Sequence, residues 1–323
     1  MQINSVLIAG AGSVGLTVAC QLYTWNKDCP TLLATGDRYK GYAEKGIWVN
    51  NKRIDFQLTG DIDSGLSENV PAYDLIIIAC KSYSLDNVIT EIKPFVGDNT
   101  IIISLINGIS SEEIIGRVYG REKLPLAMII ATDAQREILA ERGCSIHYTQ
   151  TGIINFGGHK RDEEIAAFFT RAGIPFAWQK DKMLRTMWYK FMINAGINQT
   201  SAILRLPYGA FKKASAMYIP EADAILHDAM AEVIALSPFA AKAAGESWTL
   251  GEDDIAEWEK ALSNLKDTSY TSMAQDVLAG RQTEAELFGK TVCELGEKYG
   301  VPTPVNKTLY REIRTIDNAP GRL

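Results

Sequence analysis

The glycine-rich segment near the amino terminus constrains the fold of this 323-residue chain more than any other feature. The apolar run Val6–Ala9 leads into Gly10-Ala11-Gly12-Ser13-Val14-Gly15, and a helical pattern follows through Leu22. Between a strand and a helix, these three glycines allow a tight turn, close approach of a pyrophosphate to the backbone, and close helix-to-strand packing. The positive end of the helix suits the phosphates. The motif therefore predicts a Rossmann-type dinucleotide site. Its candidate ligands are Gly10, Gly12, Ser13, Val14 and Gly15.

Apolar runs rich in Ile and Val recur along the first half of the chain and are typical of buried parallel strands. Helical patterns separate some of them, so we expect a doubly wound parallel sheet. The runs are Ser5–Ala9, Thr31–Ala34, Leu75–Ala79, Thr100–Ile106 and Leu126–Ala131. Ile47–Val49 and Arg53–Leu58 predict an antiparallel hairpin, and Thr151–Phe156 predicts one more strand.

The second half of the chain has helical periodicity almost throughout, from about Lys182 onward. The turn-forming sequence Ala172-Gly173-Ile174-Pro175 precedes it. We therefore predict a dinucleotide-binding domain over residues 1–178 and an all-helical substrate and dimerisation domain over residues 179–323. A chain of this length suits two domains.

The composition favours a small-molecule partner. A net charge of −6 without a basic block argues against nucleic acid and anionic membranes. Five cysteines without CxxC spacing suit a reducing compartment, and three scattered histidines give no metal-ligand spacing. The histidines therefore lead us to expect no metal site. The sequence contains neither an apolar run of about 18 residues nor a signal-peptide pattern, so we expect a cytoplasmic protein.

The end of the second predicted strand bears on which dinucleotide binds. An acid at its tip would hold the ribose hydroxyls of NAD, but the tip here carries Thr35. Arg38, with Lys40 and Thr35 nearby, is suited to a 2′-phosphate and therefore favours NADP. Two alternatives stay open: Asp37 could bond a ribose, which would admit NAD, and Arg38 could be an ordinary solvated loop residue.

Three polar residues recur every fourth position in an otherwise apolar helical segment. Lys190, Asn194 and Asn198 would lie along one face of an α-helix and span roughly 12 Å, with a drift of about 40° at each step. Buried Lys and Asn need partners, so this stripe predicts a site for a polar ligand. The structural alternative is a lysine paired with a carboxylate and two asparagines bonded to neighbouring backbone.

Four other positions are candidates for the same site. Lys81 and Asn107 follow predicted strands at the edge where open α/β sheets bind ligands, although a solvated lysine and a simple Asn-Gly turn would look the same.

Thr283 and Glu286 have capping-box spacing, which predicts that Glu284 opens the final long helix, ending at Gly300. The structural alternative for Glu284 is an acid that only stabilises the positive end of the helix dipole. Ser272 could be a small residue in a helix contact.

These residues lie in six segments of the chain: GAGSVG, CKSYSL, INGIS, WYKFMINAGIN, SMAQDVLAGRQTE and KYGVPTPVNKTLY. In their order and spacing, these segments resemble the ketopantoate reductase family, the NADPH-dependent 2-dehydropantoate 2-reductases. The resemblance covers nearly the whole chain. It implies an α/β Rossmann-type domain, an all-α domain resembling the C-terminal domain of 6-phosphogluconate dehydrogenase, and an active site in the cleft between them.

The resemblance also implies roles for individual residues. Lys190 would be the general acid, and Glu284 would hold the polar network of the active site and tune Lys190. Asn194 and Asn198 would bind the hydroxyl and carboxylate region of the substrate, and Ser272 would bind its carboxylate. The residues beside the nicotinamide and its ribose would be Asn107 and Lys81.

This chain departs from the family pattern at three places. Thr35 stands where the family usually has Arg, so Arg38 must substitute for it or the preference for NADP weakens. Ile106 replaces the Gln before Asn107. The run Glu286–Lys290 replaces an acid-apolar-apolar-Asn-Gly run, and this last change bears on the substrate more than on the reaction.

The expected reaction follows from the chemistry of a lysine beside a ketone. Hydride transfer to the carbonyl carbon creates negative charge on oxygen, which an ammonium can stabilise and protonate, best with a pKa lowered towards neutrality. This chemistry, together with the substrate that the resemblance implies, leads us to expect NADPH-dependent reduction of ketopantoate to pantoate, with NADH as a possible second cofactor. The alternatives are a related reductase of another 2-oxo or β-hydroxy acid and a non-catalytic NAD(P) sensor.

Overall fold

The computed structural model describes residues 2–60, 71–137 and 139–319. Its contacts divide the chain into an α/β unit, Met1–Ile106 with Ser111–Leu184, and a helical unit, Asn107–Ser110 with Arg185–Leu323. The four residues from Asn107 to Ser110 thus group with a unit that otherwise begins 75 positions later in the chain (185 − 110). The separate domains 1–178 and 179–323 stay a prediction.

A five-stranded parallel sheet forms the centre of the α/β unit, as predicted. Its order is β5-β2-β1-β6-β7, and β1 lies between β2 and β6 because the chain crosses first to one side and later to the other. Every residue of β1, β2, β6 and β7 is buried. The strands are β1 (Val6–Ala9), β2 (Pro30–Leu33), β5 (Gln57–Thr59), β6 (Leu75–Ile78) and β7 (Ile101–Ser104).

Helices alternate with the strands along the α/β unit. They are α1 (Ser13–Trp25), α2 (Gly36–Lys45), α3 (Leu85–Glu91), α4 (Ser111–Tyr119) and α5 (Asp162–Ala172). Because the strand order reverses beside β1, the carboxyl ends of the neighbouring strands are where such a sheet binds its ligand.

A second sheet accounts for two predictions that were wrong in detail. Leu126–Ala131 belongs to β8 (Leu126–Glu137), which pairs antiparallel with β9 (Cys144–Gly157) instead of joining the parallel sheet. Arg53–Leu58 is not one strand. Its first part lies in β4 (Lys52–Ile54), which forms the predicted hairpin with β3, whereas β5 pairs with β2 in the parallel sheet. The remaining strands of this second sheet are β3 (Ile47–Val49) and β10 (Phe176–Trp178).

The helical unit is built around the long helix α8 (Pro220–Ala243). In the described part of the chain, α8 is the helix with the length and apolarity of a membrane span, with 39% of the tested stretch buried. It nevertheless carries the buried Glu232, whose carboxylate accepts bonds from the backbone N–H groups of Val305 (2.7 Å) and Asn306 (2.9 Å). These bonds tie α8 to α12 and are typical of a core helix. The other helices are α6 (Met183–Ile193), α7 (Gln199–Leu204), α9 (Glu252–Ser263), α10 (Ser272–Leu278), α11 (Gly289–Tyr299) and α12 (Pro304–Asn318).

The prediction that Glu284 opens the final long helix was wrong. The backbone makes a 3₁₀ turn at Ala285–Leu287, and α11 begins only at Gly289. Thr283 does not cap a helix, because its hydroxyl donates to Asp317 Oδ2 of α12 at 2.7 Å. The predicted end is correct: Gly300 stops α11 with a left-handed φ of 70°, and α12 then follows as the last helix.

Candidate active site

The glycine turn after β1 leaves its backbone open for a pyrophosphate. Gly10 has a φ of +116°, and a Cβ there would lie 2.6 Å from the carbonyl carbon of Ala79. A Cβ on Gly15 would lie 2.0 Å from the carbonyl oxygen of Gly10, so α1 packs too closely for any side chain. Gly12 is the N-cap of α1 without a side-chain cap, which leaves backbone donors at the helix start for an anion. These features fit the phosphates of a dinucleotide.

Cys144 of β9 supports this turn, which the sequence gave no reason to expect. Its Sγ donates to the carbonyl oxygen of Ala11 at 3.5 Å. Burial raises the pKa of the Cys144 thiol, so it stays protonated and can donate. Ser13 and Val14 begin α1 directly after the turn.

An acid from another element, Glu91 of α3, lies beside the tip of β2, and sequence reasoning missed it. Thr35 is the N-cap of α2, and its hydroxyl donates to Glu91 Oε1 at 2.8 Å. The same carboxylate oxygen lies 3.5 Å from Arg38 Nη2. Glu91 ends α3 and is 56 residues away from Thr35 in sequence, so no local pattern signals the contact. Arg38, the predicted ligand of a 2′-phosphate, therefore lies beside a carboxylate at this position.

Lys81 lies at the same carboxyl edge of the sheet, three residues after β6. It precedes the 3₁₀ turn Ser82–Ser84 and is half-buried. This position in the α/β unit is compatible with the predicted contact to a bound nucleotide.

Within the helical unit, the structure brings together Lys190, Asn107 and the charge of Glu284. Lys190 Nζ donates to Asn107 Oδ1 at 3.0 Å, across 83 residues of sequence. Burial lowers the pKa of the Lys190 ammonium to about 8, and the Glu284 carboxylate acts against this by raising it. Glu284 itself is 9% exposed. An amine in this range is substantially protonated at neutral pH yet transfers its proton far more readily than a solvated lysine.

Asn194 and Asn198 do not continue the regular α-helical stripe that their spacing predicts. The segment Asn194–Asn198 is a π-helical turn between α6 and α7. A turn closed by i→i+5 bonds holds more residues than an α-turn, so it offsets the drift of about 40° that four α-helical residues accumulate. Asn198 is consequently set back towards the line of Lys190. Its side chain is buried, at 6% exposure.

Gly196, within the π turn, packs closely against α8. A Cβ there would lie 2.9 Å from the carbonyl oxygen of Leu226 and 2.8 Å from Met230 Cγ. The wider turn and the missing side chain together let α8 approach the backbone. Single π turns inside α-helices occur frequently at functional sites, which fits the position of this one between two candidate ligands.

Ser272 lies at the first position of α10 and is exposed. The preceding Thr271 caps the helix by accepting a bond from Ala274 N at 3.2 Å. Helix α10 packs against α7 and the π turn, so Ser272 begins a helix that adjoins Asn194 and Asn198. Ser272 is thus not buried in a helix contact, which was its structural alternative.

A sheet with an open glycine turn and a helical unit with a lysine of lowered pKa define an NAD(P)H-dependent oxidoreductase acting on CH–OH groups. Residues 6–161 match the family model described as ketopantoate reductase PanE/ApbA, and residues 182–317 match its C-terminal counterpart. The chain belongs to the ketopantoate reductase family.

Curated relatives agree along the whole length. The 2-dehydropantoate 2-reductase of Pyrococcus horikoshii is 28% identical over 324 residues, covering 98% of both chains. That of Aquifex aeolicus is 26% identical and covers 95% of both.

Solved structures share the fold. A ketopantoate reductase from Ralstonia eutropha superposes with a TM-score of 0.78 at 22% identity, covering 97% of this chain and 98% of that one. D-mandelate dehydrogenase, in a ternary structure with NADH and anilino(oxo)acetate, gives a TM-score of 0.79 at 20% identity with the same coverage.

Proposed function

We propose that this protein reduces ketopantoate to pantoate with NADPH and that Lys190 is the general acid. The observation that carries the proposal is the ammonium of Lys190. It is half-buried, bonded to Asn107 at 3.0 Å, and has a pKa lowered to about 8 by burial against the opposing effect of Glu284. Strongly perturbed pKa values cluster at active sites, which supports a catalytic role for Lys190.

The helical unit supplies the groups that handle the ketone. As hydride, which the bound cofactor supplies, reaches the carbonyl carbon, negative charge develops on the carbonyl oxygen. Lys190 stabilises this charge and delivers its proton, a contribution of about 10²- to 10⁴-fold in rate. Asn107 accepts a bond from the ammonium and so orients it. The Glu284 carboxylate keeps Lys190 protonated near neutral pH.

The remaining polar residues would bind the other end of the substrate. Asn194 and Asn198 flank the π turn, and in this proposal they bind the hydroxyl and carboxylate region of the keto acid. Ser272 binds the carboxylate from the start of α10. Donors of this kind fix the orientation of a small acid and raise the effective concentration of the reacting groups.

For the cofactor, we propose that the backbone of Gly10, Gly12, Ser13, Val14 and Gly15 holds the pyrophosphate. Arg38 would bind the 2′-phosphate of NADPH, and Lys81 would bind near the nicotinamide ribose. The relatives named 2-dehydropantoate 2-reductase support the substrate, and the biosynthetic role of such enzymes supports a cytoplasmic location. The solved structure of a dimeric ketopantoate reductase from Staphylococcus aureus supports a homodimer.

A second candidate is reduction of a different 2-oxo acid. The solved fold of D-mandelate dehydrogenase favours it, as does the run Glu286–Lys290, where this chain departs from the family pattern. In that case Lys190 keeps its role, and only the pocket for the substituent of the keto acid differs.

The test measures NADPH oxidation with ketopantoate and a panel of other 2-oxo acids. We expect ketopantoate to be the best substrate and Lys190→Ala to lose at least about 100-fold in turnover while still binding nucleotide. Lys260→Ala, an exposed lysine of α9, is the matched control and should keep full activity. Turnover of Lys190→Ala within a few-fold of the parent would remove Lys190 from the role of acid. Nucleotide binding without turnover of any keto acid would favour a sensor.

A further inference from the structure

We infer that Glu91 sets the cofactor selectivity of this protein: its carboxylate opposes the 2′-phosphate of NADPH and admits NADH as an alternative cofactor. The inference rests on the dinucleotide site of the proposed function, but not on the identity of the keto acid or on the role of Lys190. The juxtaposition that carries it is Thr35, Arg38 and Glu91 at the tip of β2.

The position of the carboxylate is fixed by two contacts. Thr35 lies two residues beyond β2, at the N-cap of α2, where a Rossmann sheet holds the adenosine ribose. Its hydroxyl donates to Glu91 Oε1 at 2.8 Å. The side chain of Glu91 is 21% exposed, so the charge is partly shielded from water yet still open on one side. Besides Asp37 of the local sequence, an acid from α3 thus stands beside the expected ribose position, 56 residues from Thr35 in sequence.

Arg38 does not act alone at this position. Its Nη2 lies 3.5 Å from Glu91 Oε1, and the side chain is 56% exposed. A 2′-phosphate carries up to two negative charges, so it must compete with Glu91 for the guanidinium and approach a like charge. A ribose hydroxyl meets neither cost, because it can donate a hydrogen bond to the carboxylate.

The same contacts suit a different role in which Glu91 orients Arg38 towards the phosphate. The two roles predict opposite effects of removing the charge. Glu91→Gln keeps the shape of the side chain and an oxygen that accepts from the Thr35 hydroxyl, so α3 and the β2 tip should stay in place. If Glu91 opposes the phosphate, this variant binds the phosphorylated ribose more tightly; if it orients Arg38, binding becomes weaker.

The experiment measures binding of adenosine 2′,5′-bisphosphate and of AMP by calorimetry, since these probes differ only in the 2′-phosphate. For Glu91→Gln we expect the affinity for the bisphosphate to rise about tenfold, while the affinity for AMP stays within about twofold. Arg38→Met should lower the affinity for the bisphosphate and leave the affinity for AMP unchanged. Glu113→Gln, which removes an exposed carboxylate paired with Arg117 on α4, is the matched control and should change neither affinity.

Weaker or unchanged bisphosphate binding in Glu91→Gln would overturn the inference, and so would an Arg38→Met variant with parental affinity for both probes. As a second readout, we expect Glu91→Gln to raise the NADPH-to-NADH ratio of kcat/KM by the same factor. Failure of the proposed function is distinguishable, because it would appear as missing keto acid turnover while the two affinities still respond to Glu91.

Discussion

Replacing Glu284 by Gln should move the alkaline limb of the pH–rate profile to lower pH. Lys190 must be protonated to act as an acid, so activity is present below its pKa and is lost as the pH rises through about 8. Burial sets this low pKa, and the Glu284 carboxylate raises it. Gln keeps the size of the side chain but removes the charge, so the pKa of Lys190 must fall further.

The size of the effect follows from the protonated fraction of Lys190. A nearby opposite charge typically shifts a pKa by about one to three units, and we take about one because burial dominates here. At pH 8 the protonated fraction then falls from about one half to about one tenth, which lowers turnover about fivefold. At pH 6 Lys190 is protonated to about nine-tenths or more in both proteins, so the titration changes turnover by no more than about one tenth there.

The assay records kcat/KM for ketopantoate from pH 6 to pH 10 at saturating NADPH. The exposed Glu312→Gln on α12 is the matched control and should keep the parental midpoint. An unchanged midpoint in Glu284→Gln would refute the electrostatic link between Glu284 and Lys190. A limb that persists near pH 8 in Lys190→Arg would refute the assignment itself, because the guanidinium does not titrate in this range.

Three further substitutions test the substrate contacts and the core. Asn198→Ala and Ser272→Ala should each raise KM for the keto acid about tenfold or more, since each removes a bond to a charged or hydroxyl group, while calorimetry shows unchanged nucleotide affinity. A change confined to the nucleotide affinity would show that Asn198 and Ser272 contact the nucleotide and not the keto acid. Glu232→Ala should lower the free energy of unfolding by about 2–4 kcal/mol, because the backbone N–H groups of Val305 and Asn306 lose their acceptor. A loss below about 1 kcal/mol in chemical denaturation would contradict that role.

The sequence predicts best what depends on neighbouring residues. The glycine turn was found because its strand, glycines and helix are contiguous, and buried parallel strands appear as plain apolar runs. Strand pairing is not local: Leu126–Ala131 looks like any buried strand, and only its pairing with β9 shows that it belongs to an antiparallel hairpin. The capping-box prediction at Thr283 failed for the same reason. The Thr283 hydroxyl donates to Asp317, which lies 34 residues away in sequence.

The candidate site shows the same limit. The spacing of Lys190, Asn194 and Asn198 correctly marks a helical segment, but it reveals neither the π turn within it nor the close packing of Gly196 against α8. Glu91 carries no signal in its own segment, because its importance comes from the tip of a strand 56 residues earlier. The roles of these residues remain predictions that the experiments above address.

The grouping of Asn107–Ser110 with the helical unit matters for anyone who would recombine this protein with a relative. The backbone crosses between the two units three times, at residues 106/107, 110/111 and 184/185. A chimera made by a single exchange near residue 184 would therefore pair Lys190 with a foreign Asn107 loop. Grafting Asn107–Ser110 together with the helical half would keep the hydrogen bond between Lys190 and Asn107, so the two pieces form the natural unit of exchange between relatives.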